Sequence, residues 1–184
     1  MAKIDPSTEV EEYTKDELGK WFETKAMSLK SSGVIRNKIL DASDRFAKPQ
    51  LEFVGNMYFF RYDPKHKLKL PVYDMYPLVV VVDKYVDGFL GLNLHYLSKG
   101  SRGATISIFN EFYEKKRLFN GIISGSSKSN WDIITSASSG LESMARQSVH
   151  RYLYTHVRSQ FIRIEKDEYN KAIQLPIDQW VYRK

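Results

Sequence analysis

The chain has 184 residues, with 28 Lys and Arg against 22 Asp and Glu, four His and no Cys, for a net charge of +6. At 42% hydrophobic and 14% aromatic residues it has the apolar content of a folded domain with a real core, and it is not a disordered tail. The absence of Cys excludes a disulfide framework, thiolate zinc sites and a Cys nucleophile.

Charge is unevenly spread. Residues 1–23 carry seven acids and three lysines, a net of −4, whereas residues 24–184 carry 25 basic and 15 acidic side chains, a net of +10. A basic body attracts polyanions: nucleic acid, acidic protein surfaces or anionic lipid. Residues 1–13 are expected to be an acidic mobile arm, because they include Pro6 and show no apolar period. The opening MAKIDPSTEVEEY has no apolar stretch, so no signal peptide is expected. The longest apolar run, 77–82, is far below the ~20 residues of a membrane span.

Thr14 and Glu17 form a capping-box pattern, and Leu18, Trp21, Phe22, Ala26 and Leu29 follow at helical spacing. A helix is predicted over about 15–30, ending at Ser31-Ser32-Gly33. A looser stripe predicts a second helix over 34–46, closed by Pro49. The texture then becomes strand-like. Met57 to Tyr62 is aromatic, Asp63-Pro64 marks a turn, and Lys65 to Lys69 is a basic loop. Leu78 to Val82 is a continuous β-branched run, predicted to be a central strand buried on both faces. Phe89 to Leu97 follows the turn at Val86-Asp87-Gly88, and Gly91 inside it suggests a bulge or bend. Helices are predicted over 105–118, 140–160 and 165–174, with an exposed loop at 121–130 and short strands at 131–134 and 161–164.

No catalytic motif is complete. The four histidines do not converge at ligand spacing, so no metal site is expected. Ser124 to Lys128 resembles a phosphate loop in composition only. Asp74, Asp83 and Asp87 would have to converge in space to hold magnesium, and nothing in their spacing says that they do. No enzyme activity and no cofactor are expected. Two basic groupings are more informative. Within the predicted 140–160 helix, Arg146, His150, Arg151, Tyr154 and Arg158 would share one face, suited to phosphate contacts. Arg61, Lys65, Lys67 and Lys69 lie among Tyr58, Phe59, Tyr62 and Tyr73, a mix that suits backbone neutralisation and stacking on exposed bases. Phe59 and Phe60 are expected in the core, while Tyr62 and Tyr73 fit either role. The candidate DNA-binding set is therefore Arg61, Lys65, Lys67, Lys69, Arg146, Arg151, Tyr154 and Arg158; an ordinary solvated surface is the alternative for the same residues.

Several blocks carry a family resemblance. They are Met57-Tyr-Phe-Phe-Arg-Tyr-Asp-Pro-Lys65, Leu70-Pro-Val-Tyr-Asp74, Tyr76-Pro-Leu78, Asp87-Gly-Phe-Leu-Gly-Leu-Asn-Leu-His-Tyr-Leu97 and Arg158-Ser-Gln-Phe161. Together they resemble the DNA end protector proteins of T-even-type bacteriophages, over about residues 20–180 and most densely at 57–97. That resemblance implies a minor virion component, made in the host cytoplasm, that sits on the end of packaged double-stranded DNA. It would protect the DNA from host exonuclease and help complete the head and join it to the tail. It also implies contacts with portal or neck proteins, as an oligomer or hetero-complex, and no membrane partner. No site residue is carried over from it. A purely structural neck or tail protein, docking an acidic ring without binding DNA, is the alternative. The expected fold is a single α+β domain over 14–184. Its core would be a small bent antiparallel β-barrel, SH3-like or OB-like, built around 53–97 with strands 131–134 and 161–164, and flanked by N- and C-terminal helices.

Overall fold

The computed structural model describes residues 12–31, 53–70, 72–118, 130–137, 146–175 and 181–183. Most of the expected arm, the expected helix at 34–46, nearly all of the 121–130 loop and residues 140–145 lie outside them. Among the described residues the elements are α1 (Lys15–Ser31), β1 (Met57–Phe59), β2 (Val72–Asp74), β3 (Leu78–Lys84), β4 (Gly88–Asn93), α2 (Lys99–Leu118), α3 (Asn130–Ala137), β5 (Val149–Leu153), β6 (Ile162–Ile164), α4 (Tyr169–Gln174) and β7 (Val181–Arg183), with short 3-10 turns between some of them. None of the described helices is long and apolar enough to cross a membrane.

α1 starts where the capping pattern places it. The Thr14 backbone N–H donates to Glu17 Oε2 at 2.8 Å and the Glu17 N–H donates back to Thr14 Oγ1 at 3.3 Å. Five strands form one antiparallel sheet in the order β5-β4-β3-β1-β6. β3 is central and covered on both sides, as its apolar run predicts: Leu78, Val80 and Val82 face one layer, Val79 and Val81 the other. The first layer contains Leu18, Phe22 and Leu29 of α1, Ile106 and Phe109 of α2, and Tyr169 and Ala172 of α4. The second is an aromatic layer of Phe53, Tyr58, Phe60, Tyr62, Phe89, Tyr152 and Tyr154. Its rings meet mostly edge-on or tilted, as at Phe60 and Tyr152, whose centroids are 5.5 Å apart.

The α+β class is as expected, but the barrel is not. The sheet is open, with β5 and β6 at opposite edges. Two elements account for the difference. Residues 131–134, expected as a strand, lie within α3, which is anchored by Asn130 Nδ2 donating to the Val82 carbonyl at 2.8 Å. Their strand propensity yields to that tertiary docking. Over its described part, from residue 146, the expected 140–160 helix is instead a 3-10 turn at Arg146–Ser148, strand β5 and a second 3-10 turn at Tyr154–His156. Val149, Tyr152, Leu153 and Val157 recur at three- and four-residue steps because a strand passes into a turn, and that spacing imitates a helical stripe. A separate two-stranded ribbon pairs β2 with β7.

Candidate nucleic-acid interface

Residues 146–160 are not α-helical, so Arg146, His150, Arg151, Tyr154 and Arg158 do not share a helix face. Tertiary pairing brings most of them beside the 61–69 loop instead. Tyr62 bridges Val157, the Asp63 N–H donates to the His156 carbonyl at 2.9 Å, and the Arg158 N–H donates to the Arg61 carbonyl at 2.8 Å. The Arg61 N–H donates to Ser159 Oγ at 2.8 Å, closing a contact between residues 98 apart in the chain. Residues 65–69 form tight turns, with Lys69 N–H donating to the His66 carbonyl at 2.8 Å. Two basic segments distant in sequence thus make one edge of the molecule.

The cations on this edge differ in how far they are neutralised. Asp63 pairs with Lys67 Nζ at 2.7 Å and with Arg158 Nη2 at 3.4 Å. The Lys67 ammonium, with Arg158 beside it, holds the Asp63 carboxyl below its ordinary range. Arg151 pairs with Asp87, and its guanidinium lies 4.4 Å from the centre of the Tyr85 ring. Arg61, Lys65 and Lys69 are exposed and have no acidic partner among the described residues. Arg146 is exposed in the 3-10 turn before β5. Tyr154, although singled out with the basic residues, is buried with its ring centroid 5.9 Å from that of Phe89. Burial pushes its hydroxyl up to about 12, and the ring has little free face for stacking. Phe59 and Phe60 are in the core, and so is Tyr62, whose hydroxyl accepts from the Leu153 N–H at 3.3 Å. Tyr73 is half-buried.

Beside the basic edge lies a cavity of about 350 Å³. Tyr62, Tyr73, Tyr96 and Tyr152 contribute aromatic walls, Leu70 and Val72 aliphatic ones, and Lys65, His66 and Arg151 exposed polar groups. Asp74 also lines it and is 4% exposed. This carboxylate accepts from His95 Nδ1 at 2.7 Å, from Asn93 Nδ2 at 2.9 Å and from the Tyr76 N–H at 2.9 Å. Asn93 Nδ2 also reaches the Tyr152 hydroxyl at 3.2 Å. Burial, reinforced by the Asp74 charge, pushes the Tyr96 hydroxyl well up, and burial lowers the His150 imidazole below its ordinary value. His150 Nε2 is buried with no hydrogen-bond partner.

This polar network was missed in the sequence, although Asn93 and His95 alternate with leucines in a strand-forming run. Polar residues in such a run are a signal of buried hydrogen bonding. Asp74, Asp83 and Asp87 do not converge: their partners are His95 and Asn93, Asn130, and Arg151 respectively. No cluster of three or more metal-ligating side chains occurs among the described residues.

Among the described residues this is an α+β protein: an open antiparallel sheet with helices on one side, a basic edge and an aromatic-walled cavity. Residues 13–184 match the sequence profile described as Phage T4 terminal DNA protecting protein, and the chain belongs to that family. No curated protein and no solved structure matches it.

Proposed function

We propose that this chain binds the end of linear double-stranded DNA in a phage particle and shields it from exonuclease. The observation that supports this reading is the joining of the 61–69 and 149–158 segments into one cationic edge, in a chain that belongs to a terminal-DNA-protecting family. A protein that blocks an exonuclease needs affinity for the DNA backbone and bulk at the end, and phosphate contacts supply the affinity without reading sequence. Arg61, Lys65 and Lys69 are the primary contacts in this reading, because no acid has to be displaced to use them. Lys67, Arg151 and Arg158 contribute after exchanging a carboxylate for a phosphate, and Arg146, exposed in the turn before β5, is a further candidate contact.

In the particle the protein would complete the head or neck, contact portal or neck proteins as part of an oligomer or hetero-complex, and guard the DNA against a host exonuclease. The acidic arm would be shorter than the expected 1–13, because Tyr13 is held on the body of the protein: its N–H donates to Gln174 Oε1 at 3.1 Å and Lys171 Nζ lies 5.3 Å from its ring centre.

The test is binding of a linear duplex by fluorescence anisotropy across a salt series, together with digestion of that duplex by a processive exonuclease. Expected are a steep fall of affinity with salt and slower digestion in the presence of protein. Salt-insensitive or absent duplex binding, with the protein still incorporated into particles, would turn the reading to a neck protein whose basic edge docks an acidic ring.

A further inference from the structure

We propose that the cavity beside the basic edge receives an unpaired nucleotide at the end of a DNA strand, with the base between the cavity's tyrosines and its phosphate held at the mouth by Lys65 and Arg151. The proposal rests on the DNA-end reading and gives that reading a specific seat for the end itself.

Size comes first. About 350 Å³ lies within the range of small-ligand sites; it suits one nucleotide and is far too small for a base pair in its stack. Polarity sets the orientation. The Asp74 carboxylate, 4% exposed, lies against the cavity and repels phosphate, but it accepts hydrogen bonds, as it does from His95 and Asn93. It therefore favours the N–H edge of a base inside and leaves the phosphate outside. The exposed Lys65 and Arg151 are placed to meet that phosphate. Tyr73 and Tyr96, both half-buried, offer ring surface to a base, and base–aromatic stacking tolerates any sequence. Because the cavity abuts the edge that carries Arg61, Lys65 and Lys69, a strand whose backbone follows those cations has its last nucleotide within reach. A paired base would first have to leave its stack, so the site selects frayed or overhanging ends.

The experiment compares two linear duplexes, one blunt with G·C-rich ends and one with short single-stranded overhangs, each carrying a fluorescent purine at the terminal or an internal position. With the full chain, the overhanging duplex should bind about tenfold more tightly, the effect of stacking a single base. Fluorescence of the terminal purine should be quenched and that of the internal one unchanged. Leu70 lines the cavity and is 38% exposed, so Leu70→Trp can place an indole in the cavity without disturbing the core. In Leu70→Trp the overhang preference should vanish and the terminal quench with it. Exonuclease protection without terminal quenching, or quenching that survives Leu70→Trp, would overturn the cavity proposal and leave the DNA-end reading standing. Loss of both protection and salt-sensitive binding in the wild-type chain would overturn the two together.

Discussion

Among the described residues Arg102 is the largest fully buried side chain, and no carboxylate pairs with it. Its Nε donates to the Leu97 carbonyl at 3.2 Å, and Nη1 donates to the carbonyls of Ile173 at 2.9 Å and Leu175 at 2.5 Å. One side chain on α2 thereby satisfies the end of α4 and the turn after β4. Burial brings its pKa down to about 10. The unfolded chain therefore holds that proton more tightly than the folded one, so the cost of this one buried charge falls as pH rises above about 10. At neutrality the buried charge is a cost that the three carbonyl bonds offset. Arg102→Met keeps the volume but strands those carbonyls, and should lower unfolding stability by about 3 kcal/mol in urea titration. Gly91 raises a different problem. A Cβ built there would stand 2.1 Å from Val79 Cγ1, so the constraint is close approach between β4 and β3 and not backbone conformation. Gly91→Val should cost about 1–3 kcal/mol by overpacking, seen as a lower thermal midpoint; an unchanged midpoint would mean that the sheet yields there.

Among the elements, β3 sets the two-layer architecture. Val80 is 3% exposed in the helix-covered layer, so Val80→Asp buries a carboxylate with no partner and should abolish cooperative unfolding. A cooperative melt at the wild-type temperature would show that this layer admits water. The docking of α1 on the 3-10 turn before α4 is polar as well as apolar. Trp21 Nε1 donates to Glu168 at 3.0 Å and Lys25 pairs with Glu168 at 2.7 Å. Burial of Glu168 works against its charge, but the Lys25 and Trp21 donors outweigh it and hold the carboxyl below its ordinary value. A depressed carboxyl contributes stability above its unfolded pKa and loses it as pH falls through the folded one. The stability gap between wild type and Glu168→Gln should therefore close on acidification from about pH 7 to about pH 3; a constant gap would assign the effect to packing. The elements also show where sequence is legible. α1, β3 and α2 follow from a capping box, a β-branched run and helical spacing. β5 does not, because five residues between two 3-10 turns leave too short a stretch to separate period two from period 3.6. The bulge between Val81 and Asp83 fits the bend suggested by Gly91, although the extra residue is on the facing strand. The Asp74–Asn93–His95 network needs β2, β4 and the turn beyond to meet, a juxtaposition that no local window contains.

For the whole molecule, the charge that matters is the part left uncompensated. A net +10 over residues 24–184 treats every Lys and Arg alike, but on the candidate edge Asp63 already occupies Lys67 and Arg158, while Asp87 occupies Arg151. Exposed pairs of this kind contribute little to stability, so removing their acid leaves the fold intact and changes the surface field. Asp63→Asn should therefore release two cations toward DNA, tightening duplex binding and steepening the dependence of log affinity on log salt. Neutralising Arg61, Lys65 and Lys69 should do the opposite, each lost phosphate contact flattening that slope by about 0.9. The two sets make opposite predictions from adjacent residues, so a general change in folding or solubility cannot imitate both. Measured on random-sequence duplexes, the shifts should be nearly independent of sequence, because phosphates carry no base identity. If Asp63→Asn left the salt slope unchanged while the triple neutralisation flattened it, Lys67 and Arg158 would be structural cations that fasten the 61–69 loop to the 156–159 segment, and the DNA path would run along Arg61, Lys65 and Lys69 alone.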